Sequence, residues 1–389
     1  MAQAVQQRDL QRWKLLAKFR EALERWAPPQ ANHSSWVDPK RRLAAADYYS
    51  LFLFGLFNPV VQTMRGLCAA SQLPRVQEEV CARPVSLGSF SAAQHVADQP
   101  LLEKIFTELG QELCQRAGGG SAPAAGGSAQ APWLIRDSTL WDVLPRMGWA
   151  FWRRQGRAQS AVRLHVSLHL LEDAPVRAQV TPGARCERKA WRESWREGDA
   201  YIGDRYFGED YGLLEELAQK SCSYVIRLRQ SAALEILEEL PVGAEDHAQN
   251  VTRDAWVKLG HRKMASRPRV RVVWVQGPRE ELILVTNKTP GELSAALVSQ
   301  LYRQRWQVEL FFRWIKCVLG CRHWLAESAQ GVAAQIYLAL IGALLLQLYS
   351  GERPTRRMME QLQFYLLGMA TLEDLEKAIQ KQVARKKTK

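Results

Sequence analysis

The sequence predicts an α/β protein in which a mixed sheet follows a helical region and precedes further helices. Three observations support this prediction. Apolar residues recur at helical spacing in the first 117 residues, short Val-, Ile- and Leu-rich runs with strand character occupy residues 133–285, and a helical period returns at residues 301–316. The chain has 389 residues, of which 47% are hydrophobic and 24% charged, which is enough for two or three domains with a substantial core.

The charge balance favours a polyanionic partner. Lys and Arg total 53 against 40 acidic residues, giving a formal net charge of +13 and a pI near 9.5. Nucleic acid is the partner that such a balance most often indicates. A basic protein without such a partner is the alternative, because the excess is spread along the chain and only residues 385–389 form a dense basic run.

Cysteine usage and hydropathy indicate a protein of a reducing compartment with no membrane partner. The seven cysteines are an odd number and are scattered, unlike a secreted disulfide framework. The first residues lack the apolar region of a signal peptide. The most apolar stretch, Ile336 to Leu346, is shorter than the ~20 residues that cross a bilayer, so we expect a buried helix. We expect a cytoplasmic location.

The first 117 residues are expected to form a helical domain. Helical spacing at residues 16–26 ends at two prolines, and further apolar helices are indicated at residues 48–57 and 94–109. No specific helix-turn-helix pattern is present, so an ordinary packing bundle and a DNA-reading one both fit. We expect this domain to contact DNA. Residues 118–131 contain mainly Gly, Ser, Ala and Pro and are predicted to be a flexible linker.

The next 100 residues, 132–231, carry five predicted strands. A short strand leads to Asp137, an alternating strand at 162–171 is followed by a hairpin partner at 176–180, and a strand at Ala200–Gly203 leads to Asp204. A helix near residues 213–217 precedes the fifth strand, residues 224–228. Five strands followed by a late helix with a carboxylate is the order of a ribonuclease-H-like α/β domain.

Between that fifth strand and the late helix, residues 232–287 are predicted to be a β-rich insertion. Strands are expected at 254–259, 270–275 and 281–285, where Val, Ile and Trp are frequent. The second part of the core is then predicted at residues 288–350, and a C-terminal helical region with the basic tail at residues 351–389.

Four polar residues are regularly spaced in the late helical run LYRQRWQVELFFRWIK. Tyr302, Arg305, Glu309 and Lys316 have offsets of 0, 3, 7 and 14, which at about 100° per residue place them on one stripe of a helix. A carboxylate therefore lies among side chains that suit DNA.

On these residues the chain resembles a DDE transposase of the fourth insertion-sequence family. The family signature Y-(2)-R-(3)-E-(6)-K is matched in full by the four residues of the late run. Residues 135–139, IRDST, resemble its first aspartate motif, and residues 203–207, GDRYF, resemble its second. The aspartates are 67 residues apart and Glu309 follows Asp204 by 105, which suits the family plan. The resemblance covers residues 131–348.

The resemblance implies a DNA transposase that cleaves at the terminal inverted repeats of its insertion sequence. It would join the 3′-hydroxyl ends to target DNA by two-metal-ion phosphoryl transfer in a cut-and-paste reaction. Asp137 would bridge two Mg²⁺ ions, for which Mn²⁺ could substitute, while Asp204 and Glu309 would each bind one of them; carboxylates suit this hard cation.

The implied partners are double-stranded DNA, both terminal inverted repeats and target, and a second copy of the chain in a synaptic complex. The C-terminal helices are a candidate for that dimer contact. Two alternatives share the fold: a domesticated DNA-binding regulator, and a ribonuclease-H-like nuclease without strand transfer.

The DNA-binding residues of the late helix have competing explanations. Arg305 and Lys316 are predicted to contact phosphates, although Arg305 and Glu309 also form an ordinary i,i+4 pair. Tyr302 is expected to pack or to bond DNA near the scissile end. Trp306 is either a core residue or a stacking platform for an unpaired base.

Other candidate ligands are set aside. His165 and His169 lie ~13 Å apart on a strand, too far for one ion, and are expected to be exposed or near DNA. Asp199 begins its strand ~17 Å from the end that carries Asp204 and should miss the metals. Cys317, Cys321 and His323 lack a fourth zinc ligand, so a packed helix end is expected there.

Overall fold

The computed structural model of the chain describes residues 14–26, 36, 42–117, 132–154, 157–261, 267–318 and 324–387. The chain forms two compact units. The helical unit comprises Met1–Arg116, Trp141–Val162 and Phe312–Lys389, and the sheet unit comprises Ala117–Leu140 and Arg163–Phe311. The predicted linker, residues 118–131, lies outside the described residues, as do Cys321 and His323, and the predicted domain boundaries stay predictions.

Helices and strands are numbered in chain order. The strands of the described chain are Trp133–Asp142 (β1), Phe151–Arg154 (β2), Arg157–His169 (β3), Ala174–Pro182 (β4), Ala200–Gly203 (β5), Ser223–Arg227 (β6), Leu234–Leu240 (β7), Val251–Leu259 (β8), Arg269–Gln276 (β9) and Glu281–Thr286 (β10). The helices of the described chain are Lys14–Trp26 (α1), Ala45–Phe57 (α2), Met64–Ala70 (α3), Pro74–Glu79 (α4), Leu87–Ala93 (α5), Gln99–Ala117 (α6), Glu187–Ser194 (α7), Arg205–Gly208 (α8), Tyr211–Gln219 (α9), Ala244–Ala248 (α10), Ala295–Arg303 (α11), Trp306–Val318 (α12), Ala329–Ser350 (α13), Arg356–Leu366 (α14) and Leu372–Lys387 (α15).

The sheet has the strand order β2-β3-β1-β5-β6-β10-β9-β8-β7, with β4 paired to β3. β5 lies parallel to both β1 and β6. The predicted strands and the hairpin partner of β3 are present, and the prediction of an α/β fold with a mixed sheet is confirmed. Helices precede and follow it, as predicted.

The β-rich segment after β6 extends this same sheet. β10 pairs antiparallel with β6, and β9, β8 and β7 follow in antiparallel order. The three predicted strands of this segment are present, but β7 was missed. Its sequence, LEILEEL, is largely exposed and rich in Glu, which strands disfavour, so that its pairing with β8 rather than its composition specifies it.

The core of the sheet unit includes an aromatic cluster around Trp191 of α7. The Trp191 ring centroid lies 4.4 Å from that of Phe207 and 5.3 Å from that of Tyr201. A Cβ at Gly208 would collide with the carbonyl oxygen of Arg227, so that only glycine permits the close approach of α8 to β6. This packing fixes α7 and α8 at the carboxyl end of β5.

The helical unit is built around α13, which contacts α1 and α2. Helix α13 has 22 residues, longer than the predicted apolar stretch, because it begins at Ala329 and continues to Ser350, where Gly351 ends it in the left-handed conformation. By length and composition it could cross a membrane, but its apolar window is entirely buried within the protein. The prediction of a buried helix is confirmed.

Candidate active site

Two aspartates lie at the same level of adjacent parallel strands. The register of β1 and β5 pairs Ile135 with Ile202, so Asp137 and Asp204 each follow that pair by two residues. Asp204 comes directly after β5, as predicted. Asp137 does not end its strand, because β1 continues to Asp142, so the prediction of a strand-end position was wrong for Asp137. The part of β1 that pairs with β5 ends at Ile135, two residues before Asp137.

Backbone amides orient both carboxylates. The Ser138 N–H donates to Asp137 Oδ1 at 2.7 Å, and the Tyr206 N–H donates to Asp204 Oδ1 at 3.0 Å. Asp204 is thereby the N-cap of α8, a position that prefers Asp. Each aspartate is held by a residue one or two positions further along the chain.

The aspartates interact electrostatically with each other. Burial, followed by the negative charge of Asp204, raises the pKa of Asp137 to about 7, while the Ser138 amide and the Arg305 guanidinium act in the opposite direction. Burial raises the pKa of Asp204 as well, against the Tyr206 amide and Arg305. A close pair of carboxylates that resist ionisation together is typical of a cation site.

Arg305 links Asp137 to the third predicted carboxylate. Its Nη2 donates to Glu309 Oε1 at 2.5 Å, and its Nη1 lies 3.7 Å from Asp137 Oδ2. The guanidinium is only 18% exposed, so these charges interact in a partly desolvated environment. The structure therefore brings Asp137 and Glu309 to one cationic side chain, and Asp204 follows the strand next to that of Asp137.

The signature residues do not share one continuous helix, so that prediction was wrong. Helix α11 ends at Arg303 and α12 begins at Trp306. Amides of Gln304 and Arg305 bond carbonyls three residues back, which is the tighter pattern of a turn. The break places Tyr302 on α11, Arg305 in the turn and Glu309 on α12, and it frees Arg305 to reach the sheet.

The predicted DNA-binding residues differ in accessibility. Tyr302 is buried, which fits the packing role and not a DNA contact. Trp306 is 50% exposed, so the core interpretation of this residue was wrong. Lys316 lies in the helical unit, with its Nζ 5.1 Å from the ring centroid of Trp141.

The oxygen atoms of these carboxylates are suitable ligands for a hard divalent cation. In the described part of the chain, no group of three or more His, Cys, Asp or Glu side chains is arranged closely enough to hold a metal. Asp137 and Glu309 nevertheless converge on one guanidinium, and carboxylate oxygens are preferred Mg²⁺ ligands. The donor set fits such an ion, and the metal-binding role of the three carboxylates stays a prediction.

The rejected candidates are structural residues. His165 and His169 are buried, so the expectation that they are exposed or near DNA was wrong. Burial lowers the pKa of both, for His165 to about 3, and His165 Nε2 bonds the Thr181 hydroxyl. Asp199 accepts hydrogen bonds from Arg177 and Tyr201, in agreement with its predicted place outside the site.

A fourth carboxylate near the aspartates, Glu187, was missed by the sequence analysis. Its charge raises the pKa of both Asp137 and Asp204. It lies in the first turn of α7, between β4 and β5. No motif or spacing rule singles out a glutamate in that segment, because only the packing of α7 brings it to the site.

Comparison with known proteins shows the family of the chain. Residues 129–346, more than half of the chain, match the family model described as Transposase DDE domain. The chain belongs to the transposase DDE domain family. The family resemblance predicted from the sequence is thereby confirmed at this level, and transposase DDE domains generally depend on divalent metal ions.

Three relatives of this transposase DDE domain are assigned as transposases. One, y4zB of Sinorhizobium fredii, is 28% identical over 218 residues, 54% of this chain and 59% of the relative. The protein of insertion sequence element IS5377 from Geobacillus stearothermophilus is 26% identical, covering 56% of each chain. That of IS4SA from Synechocystis is 24% identical, covering 68% of this chain and 72% of the relative. The aligned region thus spans little more than half of the first two relatives.

Among solved structures, the chain is similar to a piggyBac transposase synaptic complex with hairpin DNA. The alignment covers 95% of this chain and 79% of the piggyBac chain. The TM-score is 0.40 and the identity 10%, a likeness too distant to define the fold of this transposase DDE domain.

Proposed function

We propose that the protein is a DNA transposase that cleaves the terminal inverted repeats of its insertion sequence and joins the freed 3′-hydroxyl ends to target DNA. One observation carries the proposal. Within a transposase DDE domain, Asp137 and Asp204 lie side by side on parallel strands, and Asp137 shares Arg305 with Glu309. Such a cluster of acids suits phosphoryl transfer better than binding alone.

The three carboxylates would hold two Mg²⁺ ions, or Mn²⁺ in their place. Bound there, the ions would supply an activated nucleophile and neutralise charge on the leaving oxygen. The chain itself contributes orientation: the Ser138 and Tyr206 amides fix one oxygen of each aspartate. Asp137 must lose its proton to act as a ligand, which its raised pKa opposes at acidic pH.

Residues around Arg305 would bind the DNA. A guanidinium in a turn can exchange a carboxylate for a phosphate, its other preferred bidentate partner. The exposed Trp306 ring supports stacking on an unpaired base next to the cleaved bond. Lys316 would contact phosphate, and Tyr302 would support the turn by packing.

The remaining elements of the proposal follow the family resemblance. They are a cut-and-paste reaction, a homodimer in a synaptic complex with two DNA ends, a DNA-end-binding role for the first 117 residues, and a bacterial cytoplasmic, nucleoid-associated location. The net charge of +13 supports the association with DNA.

A cleavage and joining assay tests the proposal. Linear DNA bearing the inverted repeats that flank the coding region is incubated with protein, Mg²⁺ and a supercoiled target. We expect cleaved ends and joined products from the unaltered protein and from Asp142→Ala, an exposed control, but not from Asp204→Ala. Cleavage without joining would indicate a nuclease, and binding without cleavage a regulator; either result would overturn the proposal.

A further inference from the structure

The first turn of α7 is connected to Asp137 through three side chains and one amide. Glu187 forms an ion pair with Arg163 of β3. Arg163 Nη1 also donates to Ser138 Oγ at 2.9 Å, and the Ser138 N–H donates to Asp137 Oδ1. The path therefore runs from Glu187 through Arg163 and Ser138 to the carboxylate.

The same turn is connected to Asp204 by its next residue. Arg188 Nε donates to the Tyr206 carbonyl at 3.0 Å, and its guanidinium lies 4.2 Å from the Tyr206 ring centroid. The Tyr206 N–H in turn donates to Asp204 Oδ1. Both aspartates thus receive an amide hydrogen bond from a residue that is linked to α7, Tyr206 directly through Arg188 and Ser138 indirectly through Arg163 of β3.

The Glu187–Arg163 pair is set apart from ordinary surface pairs by its burial. Its side chains are 22% and 13% exposed, whereas Glu193 near the other end of the same helix and its partner Arg185 are 50% and 40% exposed. Exposed pairs contribute little to stability and orient little around them. A partly buried charge acts over a longer range, which agrees with the effect of Glu187 on both aspartates.

We propose that Glu187 and Arg163 are positioning residues of the metal site, which fix Ser138 against Asp137. The inference rests on the proposed function. Residues that hold a metal ligand in place commonly change metal affinity 10–100-fold when substituted. Glu187 also lies in the first turn of a helix, where an acidic side chain is favoured, so that its position costs the fold little.

The test is Mn²⁺ binding to the full-length protein without DNA, measured by calorimetry. We expect Glu187→Gln to weaken Mn²⁺ binding by about 10–100-fold. Glu193→Gln, the same change on the same helix, should bind within about twofold of the unaltered protein because its pair is exposed. Ser138→Ala, which removes one hydrogen-bond acceptor, should weaken binding by about threefold to tenfold.

Thermal unfolding in EDTA separates positioning from a merely structural role. A positioning role predicts weakened Mn²⁺ binding with an unchanged melting temperature for Ser138→Ala, even where Glu187→Gln lowers that temperature. Unchanged Mn²⁺ affinity in Ser138→Ala, and in Glu187→Gln if it folds, would overturn the inference. Failure of the proposed function looks different: Mn²⁺ would not bind the unaltered protein, or Asp204→Asn would bind it equally well.

Discussion

Asp137 and Asp204 stand at equal height on neighbouring parallel strands, two residues beyond the Ile135–Ile202 pair. The sheet holds both carboxylates in place, although their charges repel each other. An arrangement of this kind costs stability in the metal-free protein, and that cost is measurable.

Asp137→Asn should abolish DNA cleavage and stabilise the metal-free protein. With a pKa of about 7 when folded, Asp137 binds more protons in the folded than in the unfolded chain between about pH 4 and 7, so the free energy of unfolding falls as pH rises through that range. Asparagine does not ionise, so the substitution removes this fall in the free energy of unfolding. In urea unfolding with EDTA at pH 8 we expect a gain of the order of 1–4 kcal/mol, with Asp142→Asn unchanged. A less stable Asp137→Asn protein would contradict the assignment.

Metal affinity should depend on pH for the same reason. A cation must displace the proton of Asp137, so we expect Mn²⁺ affinity to rise about tenfold per pH unit below about pH 7 and to level off above it. Calorimetric titrations with Mn²⁺ at about pH 5.5, 6.5, 7.5 and 8.5 measure this dependence of affinity on pH. Affinity that is flat between the two lowest values would show that Asp137 does not carry the proton.

Arg305→Gln should affect metal binding and catalysis in opposite directions. Removing a cation next to Asp137 and Glu309 should raise Mn²⁺ affinity by about tenfold. Loss of the same guanidinium from the phosphate should lower cleavage by about 100-fold. Arg303→Gln, an exposed neighbour on α11, is the control. Parallel losses of both properties would instead indicate that Arg305 only supports the fold.

Trp306→Ala should weaken DNA binding without loss of stability. The ring is half exposed, so we expect a change in the free energy of unfolding within about 0.5 kcal/mol. Binding to a DNA end with an unpaired base should lose about 1–3 kcal/mol, while fully paired DNA should bind as before. Trp191→Ala, in the core, should instead destabilise by about 3–5 kcal/mol. Fluorescence anisotropy and urea unfolding separate the two, and equal losses on both DNAs would refute the stacking role.

His165 should make the protein sensitive to acid. Its pKa is lowered to about 3 by burial, against about 6.5 when unfolded, so between these values the unfolded chain binds more protons and stability rises with pH. From pH 7.5 to pH 5 this residue should remove about 2 kcal/mol. The loss should be smaller by that amount in His165→Gln and unchanged in His261→Gln, where the side chain is exposed. Identical pH profiles of urea unfolding would exclude His165 as the cause.

The backbone arrangement of the site could be predicted from the sequence, but the surroundings of its side chains could not. The 67-residue separation of the aspartates equals the register offset of β1 and β5, and alternation together with apolar runs located most strands. Local patterns could not show where side chains lie. The break before Trp306, the burial of His165 and the approach of Glu187 all depend on tertiary packing, which spacing along the chain does not encode.

Strand β7 is the last in the strand order, and three of its glutamates are paired with arginines. The partner of Glu239 is Arg253 of β8, that of Glu238 is Arg269 of β9, and that of Glu235 is Arg267, just before β9. An outermost strand offers unpaired amides and carbonyls to any other sheet it meets. Charged, solvated side chains on this strand oppose hydrogen-bonded pairing between the sheet edges of two copies of the chain. Replacing the three glutamates with neutral residues should therefore cause copies of the chain to associate through this strand.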